Sequence, residues 1–252
     1  MLRSLALKAG LVAALIFTAM TLQPTTAVAG MNETERQAVE EVVREYLRKN
    51  PEVLVEAIRA LQEKEEAAER EKAKRAILEK RDALINDGYS PEGGNPNGDV
   101  VIVEFFDYRC GYCKRVFPSI QRLLKEDGNI RYVFKELPIL GPQSVTAARA
   151  AMAVWKLDKS KYMAFHSAAM KSRGALTEAK VLRLAEEAGM DSDAVAKAMK
   201  DASIEKSFRD NHRLAASLGI TGTPAFVIGD TLVPGAVGID ALKRYVADAR
   251  KG

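Results

Sequence analysis

Cys110-Gly-Tyr-Cys113 stands just past an apolar run, Val100-Val-Ile-Val-Glu-Phe-Phe106, and contains the only two cysteines of this 252-residue chain. The run is short and almost wholly apolar, so it reads as a buried strand. The Cys-x-x-Cys reads as the first turn of a helix. Free N–H groups at a helix start stabilise a thiolate at Cys110. Two intervening residues let Cys113 come round on the next turn and close a small disulfide. Half of a zinc site has the same spacing, but a structural zinc needs four ligands. No second cysteine pair exists, and the two histidines, His166 and His212, are far from the cysteines and from each other in sequence. A purely structural disulfide is the other alternative, although so short a loop restrains little chain entropy. We assign no metal ligand and no cofactor beyond a redox-active Cys110–Cys113 pair.

Residues 1–29 read as a cleavable secretory signal. Arg3 and Lys8 form its basic end, Leu11–Phe17 its apolar core, and Ala27-Val-Ala29 a small-x-small cleavage site. The core is too short to span a bilayer, which argues against the alternative of an uncleaved anchor. Cleavage lowers the formal net charge of +4 by the two basic residues of the leader. So small a charge is no nucleic-acid footprint, and no nucleic-acid partner is expected. Export to the periplasm would place a dithiol where it meets substrate disulfides.

Residues 30–87 form a helical segment of different composition, dense in Glu, Lys and Arg. Val39, Val42, Val43, Tyr46 and Leu47 recur at helical spacing, Asn50-Pro51 marks a break, and Leu54, Ile58 and Leu61 continue the stripe. From Gln62 to Arg75 only alanines interrupt the charges, so this stretch reads as a semi-rigid helical spacer. The segment is too small for a core of its own. Its stripe packs either on the catalytic domain or on another copy of the chain. The spacer favours self-association, as dimer or trimer.

Tyr89 to Gly98 reads as a Gly/Pro/Asn-rich linker, and residues 88–252 as the catalytic domain. The strand at 100–106 feeds a helix over 110–127, and Ile130–Leu137 forms the next strand. Residues 142–218 read as helices throughout, with Thr177 and Asp191 as caps. Trp155, Met163, Met170 and both histidines read as packing or surface residues. Ala225–Ile228 and Leu232–Val233 form a hairpin across Gly229-Asp230, and Ile239–Arg250 the closing helix. The fold class is α/β, a mixed sheet with an inserted helical region.

Four features together resemble the DsbA-like members of the thioredoxin superfamily. They are the Cys-x-x-Cys after a strand, Thr223-Pro224 before the apolar run Ala225–Ile228, Pro118 eight residues after Cys110, and Glu104 six residues before it. Gly94–Arg115 and Phe134-Lys-Glu-Leu-Pro138 look typical of the same family. Tyr46–Leu54 is similar to the N-terminal extension of suppressor-of-copper-sensitivity proteins of the ScsC type.

The resemblance implies a thioredoxin-like sheet, a cis-proline loop at Thr223-Pro224 beside the cysteines, and a buried acid at Glu104. In that reading Cys110 attacks a substrate disulfide and Cys113 resolves the mixed disulfide. Glu104 shuttles the Cys113 proton, unless it is a solvent-facing residue of a half-exposed strand. Gly111 and Tyr112 set the redox poise, and Thr223 and Pro224 meet the substrate chain. The Gly-Tyr dipeptide and the Thr before Pro224 resemble periplasmic disulfide isomerases. We therefore expect an isomerase or reductase with cysteine-containing exported clients and a membrane thiol partner. The alternatives are a DsbA-type dithiol oxidase and a copper-binding or copper-relay protein, with the cysteines as soft Cu(I) ligands.

Overall fold

The computed structural model describes residues 31–251, so the expected secretory signal lies outside the described residues. The chain divides into two compact units, one ending at Ile58 and the other starting at Arg59.

The first unit holds α1 (Glu33–Lys49) and the first turns of α2 (Glu52–Glu79). Asn32 and Glu35 cap each other's backbone N–H at 3.0 and 2.9 Å, which satisfies two donors that the helix start would leave free. The Asn50 N–H closes α1 on Tyr46 O at 2.8 Å, and Pro51 follows. No residue of α1 is buried. Its stripe of Val39, Val42, Val43 and Tyr46 is 47–67% exposed.

In the second unit α2 stays helical through its charged run, and Ile77 is its buried residue. α3 (Arg81–Ile85) follows. The sheet has five strands, β1 (Glu92–Gly94), β2 (Val100–Phe106), β3 (Ile130–Glu136), β4 (Ala225–Ile228) and β5 (Thr231–Pro234). Their order is β1-β3-β2-β4-β5, with β2 and β3 parallel and the other pairs antiparallel. A parallel pair needs a crossover, and α4 (Gly111–Glu126) supplies it. Strand alternation splits the core in two. Ile102, Phe106, Tyr132, Phe134 and Phe226 join α4, the closing helix α10 (Ile239–Ala249) and most of the insertion on one face. Val103, Phe105, Val133 and Val227 pack on the other face with Ile77, Leu84 and Leu214. The insertion between β3 and β4 comprises α5 (Pro142–Leu157), α6 (Tyr162–Lys171), α7 (Glu178–Glu187), α8 (Ser192–Ala198) and α9 (Ala202–Ser217). Thr177 and Asp191 cap α7 and α8 through Lys180 N and Ala194 N.

Two readings change. The stretch 89–98 is not only a linker, because Glu92–Gly94 pairs antiparallel with Val133–Arg131 as the edge strand β1. Its glycines serve close approach rather than freedom. A Cβ on Gly94 (φ +70°) would meet Ile130 O at 2.3 Å, and one on Gly98 would meet Arg131 N at 2.4 Å. The boundary at 87/88 also moves. Ile77 and Leu84 are buried against the sheet at 3% and 1% exposure. Lys135, fully buried on β3, donates to Ala83 O at 2.7 Å and to the Asp87 carboxylate. Although burial pushes Asp87 up, Lys135 and Ser90 hold its carboxyl below the usual range. The turns from Ile77 to Asp87 therefore belong to the catalytic unit.

Candidate active site

β2 ends at Phe106 and the chain turns through Asp107-Tyr-Arg109 to reach α4. The buried Asp107 carboxylate fixes this turn by accepting from Arg109 N at 2.7 Å, Ile139 N at 2.9 Å and Leu140 N at 3.0 Å. Cys110 N donates back to Asp107 O at 3.0 Å. Cys110 is thereby the N-cap of α4, and its sulfur takes the place of the capping oxygen, accepting from Cys113 N at 3.4 Å. Thr223-Pro224 is a cis peptide, and the Thr223 carbonyl lies 3.1 Å from Cys110 Sγ. A residue 113 positions away thus closes the site, because the antiparallel β2–β4 pairing starts two residues later with Phe105 opposite Ala225.

The two free thiols have opposite environments. The Cys110 thiol is brought down to about 5 by a hydrogen bond from Cys113, which outweighs burial, with further bonds from Thr223 and the N–H groups of Cys113 and Tyr112. Cys113 is fully buried, and burial, its bond to Cys110 and the nearby Glu104 charge push its thiol far up. At neutral pH the outer sulfur is a thiolate and the inner one a thiol.

Glu104 is 1% exposed, on the same face of β2 as Ile102 and Phe106. The solvent-facing alternative is excluded. Tyr132 donates to Oε2 at 2.7 Å, and Oε1 has no partner among the described residues. Burial pushes this carboxyl up to about 8 against the Tyr132 bond, and the Cys110 charge adds to the rise. That last cause couples the acid to the reaction. When Cys110 enters a mixed disulfide its charge vanishes, and Glu104 ionises more readily at the moment Cys113 needs a base.

The structure brings Cys110, Cys113, Glu104, Thr223 and Pro224 together. Gly111 and Tyr112 lie on the outer rim. Tyr112 is 58% exposed under the Arg115 guanidinium, 5.0 Å from its ring centre. Pro118 sits inside α4. His166 is a core residue in an aromatic cage of Phe106, Phe117, Phe134 and Tyr162. Its Nδ1 pairs with Tyr108 OH at 2.8 Å, and burial takes its pKa down to about 3. A second buried acid escaped the sequence reading. Glu136 closes β3 opposite Phe106, neither carboxyl oxygen has a protein partner among the described residues, and burial followed by Asp107 pushes it well up. No short-range signal marks it, because β3 also carries Arg131 and Lys135, whereas Glu104 is the one charged residue of β2.

Among the described residues no group of three or more His, Cys, Asp or Glu is placed to hold a metal, and no helix is long and apolar enough to cross a membrane. Residues 101–247 match the DSBA-like thioredoxin domain, and residues 35–68 match the copper resistance protein ScsC N-terminal domain. The crystal structure of a thioredoxin-like oxidoreductase from Silicibacter pomeroyi is 45% identical and covers 68% of this chain and 98% of its own, with a TM-score of 0.66. Proteus mirabilis ScsC, in a transitional conformation, is 34% identical and covers 88% of this chain and 99% of its own, with a TM-score of 0.66. Disulfide bond formation protein D of Bacillus subtilis is 24% identical over 172 residues, 64% of this chain and 78% of that protein. The Na(+)/H(+) antiporter NhaA 1 of Salinispora arenicola is 29% identical over 161 residues, and the chain spans only about a quarter of that relative, 24%. The family match takes in more than half of the chain and all the residues gathered at the cysteine pair: the chain belongs to the DSBA-like thioredoxin domain family of thiol–disulfide oxidoreductases, with a ScsC-type N-terminal domain ahead of the thioredoxin-like fold.

Proposed function

We propose that the protein is a periplasmic disulfide isomerase or reductase of exported, cysteine-containing clients, kept reduced by a membrane thiol donor. The carrying observation is the split between the sulfurs, a thiolate-forming Cys110 beside Thr223 and a covered, protonated Cys113. A stabilised thiolate leaves the reduced form ready to attack, which is the state an isomerase needs. Cys110 thiolate attacks one sulfur of a client disulfide, and the other client sulfur leaves as a thiolate. A client thiol can then displace Cys110, which rearranges the disulfide with no net electron transfer. Otherwise Cys113 attacks Cys110 Sγ and passes its proton to Glu104. The client then leaves as a dithiol, and the protein is oxidised by two electrons. In this reading backbone groups at Thr223 would pair with the client as an added strand.

Self-association through α1 and the start of α2 completes the proposal. The exposed stripe of Val39, Val42, Val43, Tyr46, Leu54 and Ile58 supports it, and several sites around one client would raise the effective thiolate concentration. A refolding assay on a scrambled-disulfide client, run beside a dithiol-oxidation assay, tests the function. The proposal expects the first to proceed faster, and oxidase activity alone would favour the monomeric DsbA-type reading. The ScsC match over 35–68 supports a second reading, copper relay through the cysteine pair. Stoichiometric Cu(I) binding, with disulfide exchange lost on chelation, would favour it.

A further inference from the structure

Around Cys110 the surface carries cations that no carboxylate pairs. Arg109, Lys114 and Arg115 flank the cysteines, and Arg173 and Lys180 lie on the loop and helix that follow α6. None of the five forms an ion pair among the described residues, so their charge is not locally cancelled. Hydrogen bonds tie Lys114 and Lys180 to the 172–173 loop and Arg109 to Leu140, while Arg115 lies over Tyr112. The Lys114 ammonium donates to Ser172 O at 2.5 Å, Lys180 donates to Arg173 O, and Arg109 donates to Leu140 O at 2.5 Å. Burial and then the Lys180 charge push Lys114 below its ordinary value, so the two cations lie close together. The acids cannot neutralise this face. Asp107 is buried, and three backbone N–H groups occupy its carboxylate. Residues 219–224 and 235–238, the loops flanking the β4–β5 hairpin, contain no acid, and Glu178 at the start of α7 is the one exposed acid among residues 171–180. Apolar side chains share the rim. Tyr112 is 58% exposed, Ile139 41% and Leu140 43%.

We propose that this rim selects client segments in which acidic residues and an apolar side chain flank the reactive disulfide. Unpaired cations around a reactive centre raise the local concentration of anionic partners and speed their encounter. Tyr112 and Leu140 offer the contact that holds the segment once it arrives. The proposal deepens the disulfide-exchange reading by naming a substrate class. It rests on attack by Cys110 and is independent of whether the enzyme isomerises, reduces or oxidises in the cell.

The test uses the reduced mature protein and short peptides whose single cysteine carries a neutral 2-thiopyridyl group. Cys110 thiolate bonds to the peptide sulfur and releases thiopyridone, which is read by absorbance. Cys113 then closes the protein disulfide, and the peptide leaves as a thiol. Three peptides flank the cysteine with Leu and with Asp, Ser or Lys. At low ionic strength the Asp peptide should react about tenfold faster than the Lys peptide, at the lower end of steering effects of roughly 10–1,000-fold, and the difference should collapse in about 1 M salt. Joint Arg115→Glu and Arg173→Glu substitution should bring the Asp-to-Lys ratio within the variant close to one. Equal rates for all three peptides at low salt, or a ratio that survives charge reversal, overturns the proposal. Release from none of the peptides overturns instead the disulfide-exchange reading beneath it. Binding to phosphatidylglycerol vesicles that the double substitution abolishes, with no peptide preference, reassigns the rim to an anionic membrane surface and also overturns the proposal.

Discussion

Cutting the chain after Asp87 should damage the catalytic unit, whereas cutting after Ile58 should not. A cut after Asp87 removes Ile77 and Leu84, which are 3% and 1% exposed. Full burial of such side chains contributes roughly 1.5–3 kcal/mol each, or about 3–6 kcal/mol together. The same cut strips Lys135 of Asp87 and of the Ala83 carbonyl while the ammonium stays fully buried. Breaking a buried pair from one side costs about 3–5 kcal/mol, and less if the lysine sheds its proton. Burial already pushes Lys135 below its ordinary value, so the lower figure is the better guide. The total of about 6–9 kcal/mol compares with a whole-domain stability of roughly 5–15 kcal/mol. The fragment 88–252 should therefore be unfolded or lack cooperative melting, while 59–252 unfolds in one transition. Urea unfolding followed by far-UV circular dichroism compares them directly. Asp87→Asn in the full chain isolates the ion pair, and Leu84→Ala isolates apolar burial at about 2–5 kcal/mol. Equal midpoints for the two fragments would refute the placement of Ile77–Asp87 in the catalytic core.

The remaining predictions concern the site. Glu104→Gln should slow resolution of the mixed disulfide by about 100–10,000-fold, with the trapped species accumulating on non-reducing gels, and an unchanged resolution rate removes Glu104 as the base. The folded Glu104 value near 8 lies above the ordinary 4.5, so its contribution to stability is fully present below about pH 4.5 and is lost as pH rises to 8. Urea titrations should show wild type losing ground to Glu104→Gln across that window at about 1.4 kcal/mol per pH unit, and parallel pH profiles would contradict this. Cys110 has the opposite sign: its folded value near 5 lies below the ordinary 9.0, so stabilisation of the reduced protein is present above pH 9 and disappears as pH falls to 5. The melting temperature of reduced wild type should exceed that of Cys110→Ser at high pH and converge with it near pH 5. For assembly, light scattering on the mature chain at micromolar concentration should give a multiple of the chain mass, and 59–252 a monomer. A monomeric full-length chain would remove α1 from that role.

The local signals in the sequence were those in which one short stretch decides its own structure. β2, the Cys110 cap and the start of α4 follow from an apolar run that meets a helix start. The Thr177 and Asp191 helix starts follow from cap chemistry, and the Pro142 start from a first-turn proline. Burial that depends on partners distant in sequence was not legible. Nothing near Lys135 in the sequence marks it as buried, because its partner Asp87 lies 48 positions earlier. Glu136 has no short-range feature that separates it from a surface acid. Gly94 and Gly98 read as freedom for a linker, whereas the backbone of Ile130 and Arg131 passes where their side chains would be. Thr223-Pro224 carried the right neighbourhood through family likeness, since its spacing from Cys110 along the chain says nothing of the 3.1 Å that separates the Thr223 carbonyl from the sulfur.

The central claim is that two adjacent thiols have been driven apart, Cys110 towards thiolate and Cys113 towards thiol. Competitive alkylation of the reduced protein across pH 4–9, with mass-spectrometric reading of each cysteine, measures this directly. The account predicts that Cys110 labels with a midpoint near pH 5 while Cys113 stays unlabelled across the range. Equal labelling of the two, or labelling led by Cys113, would contradict it.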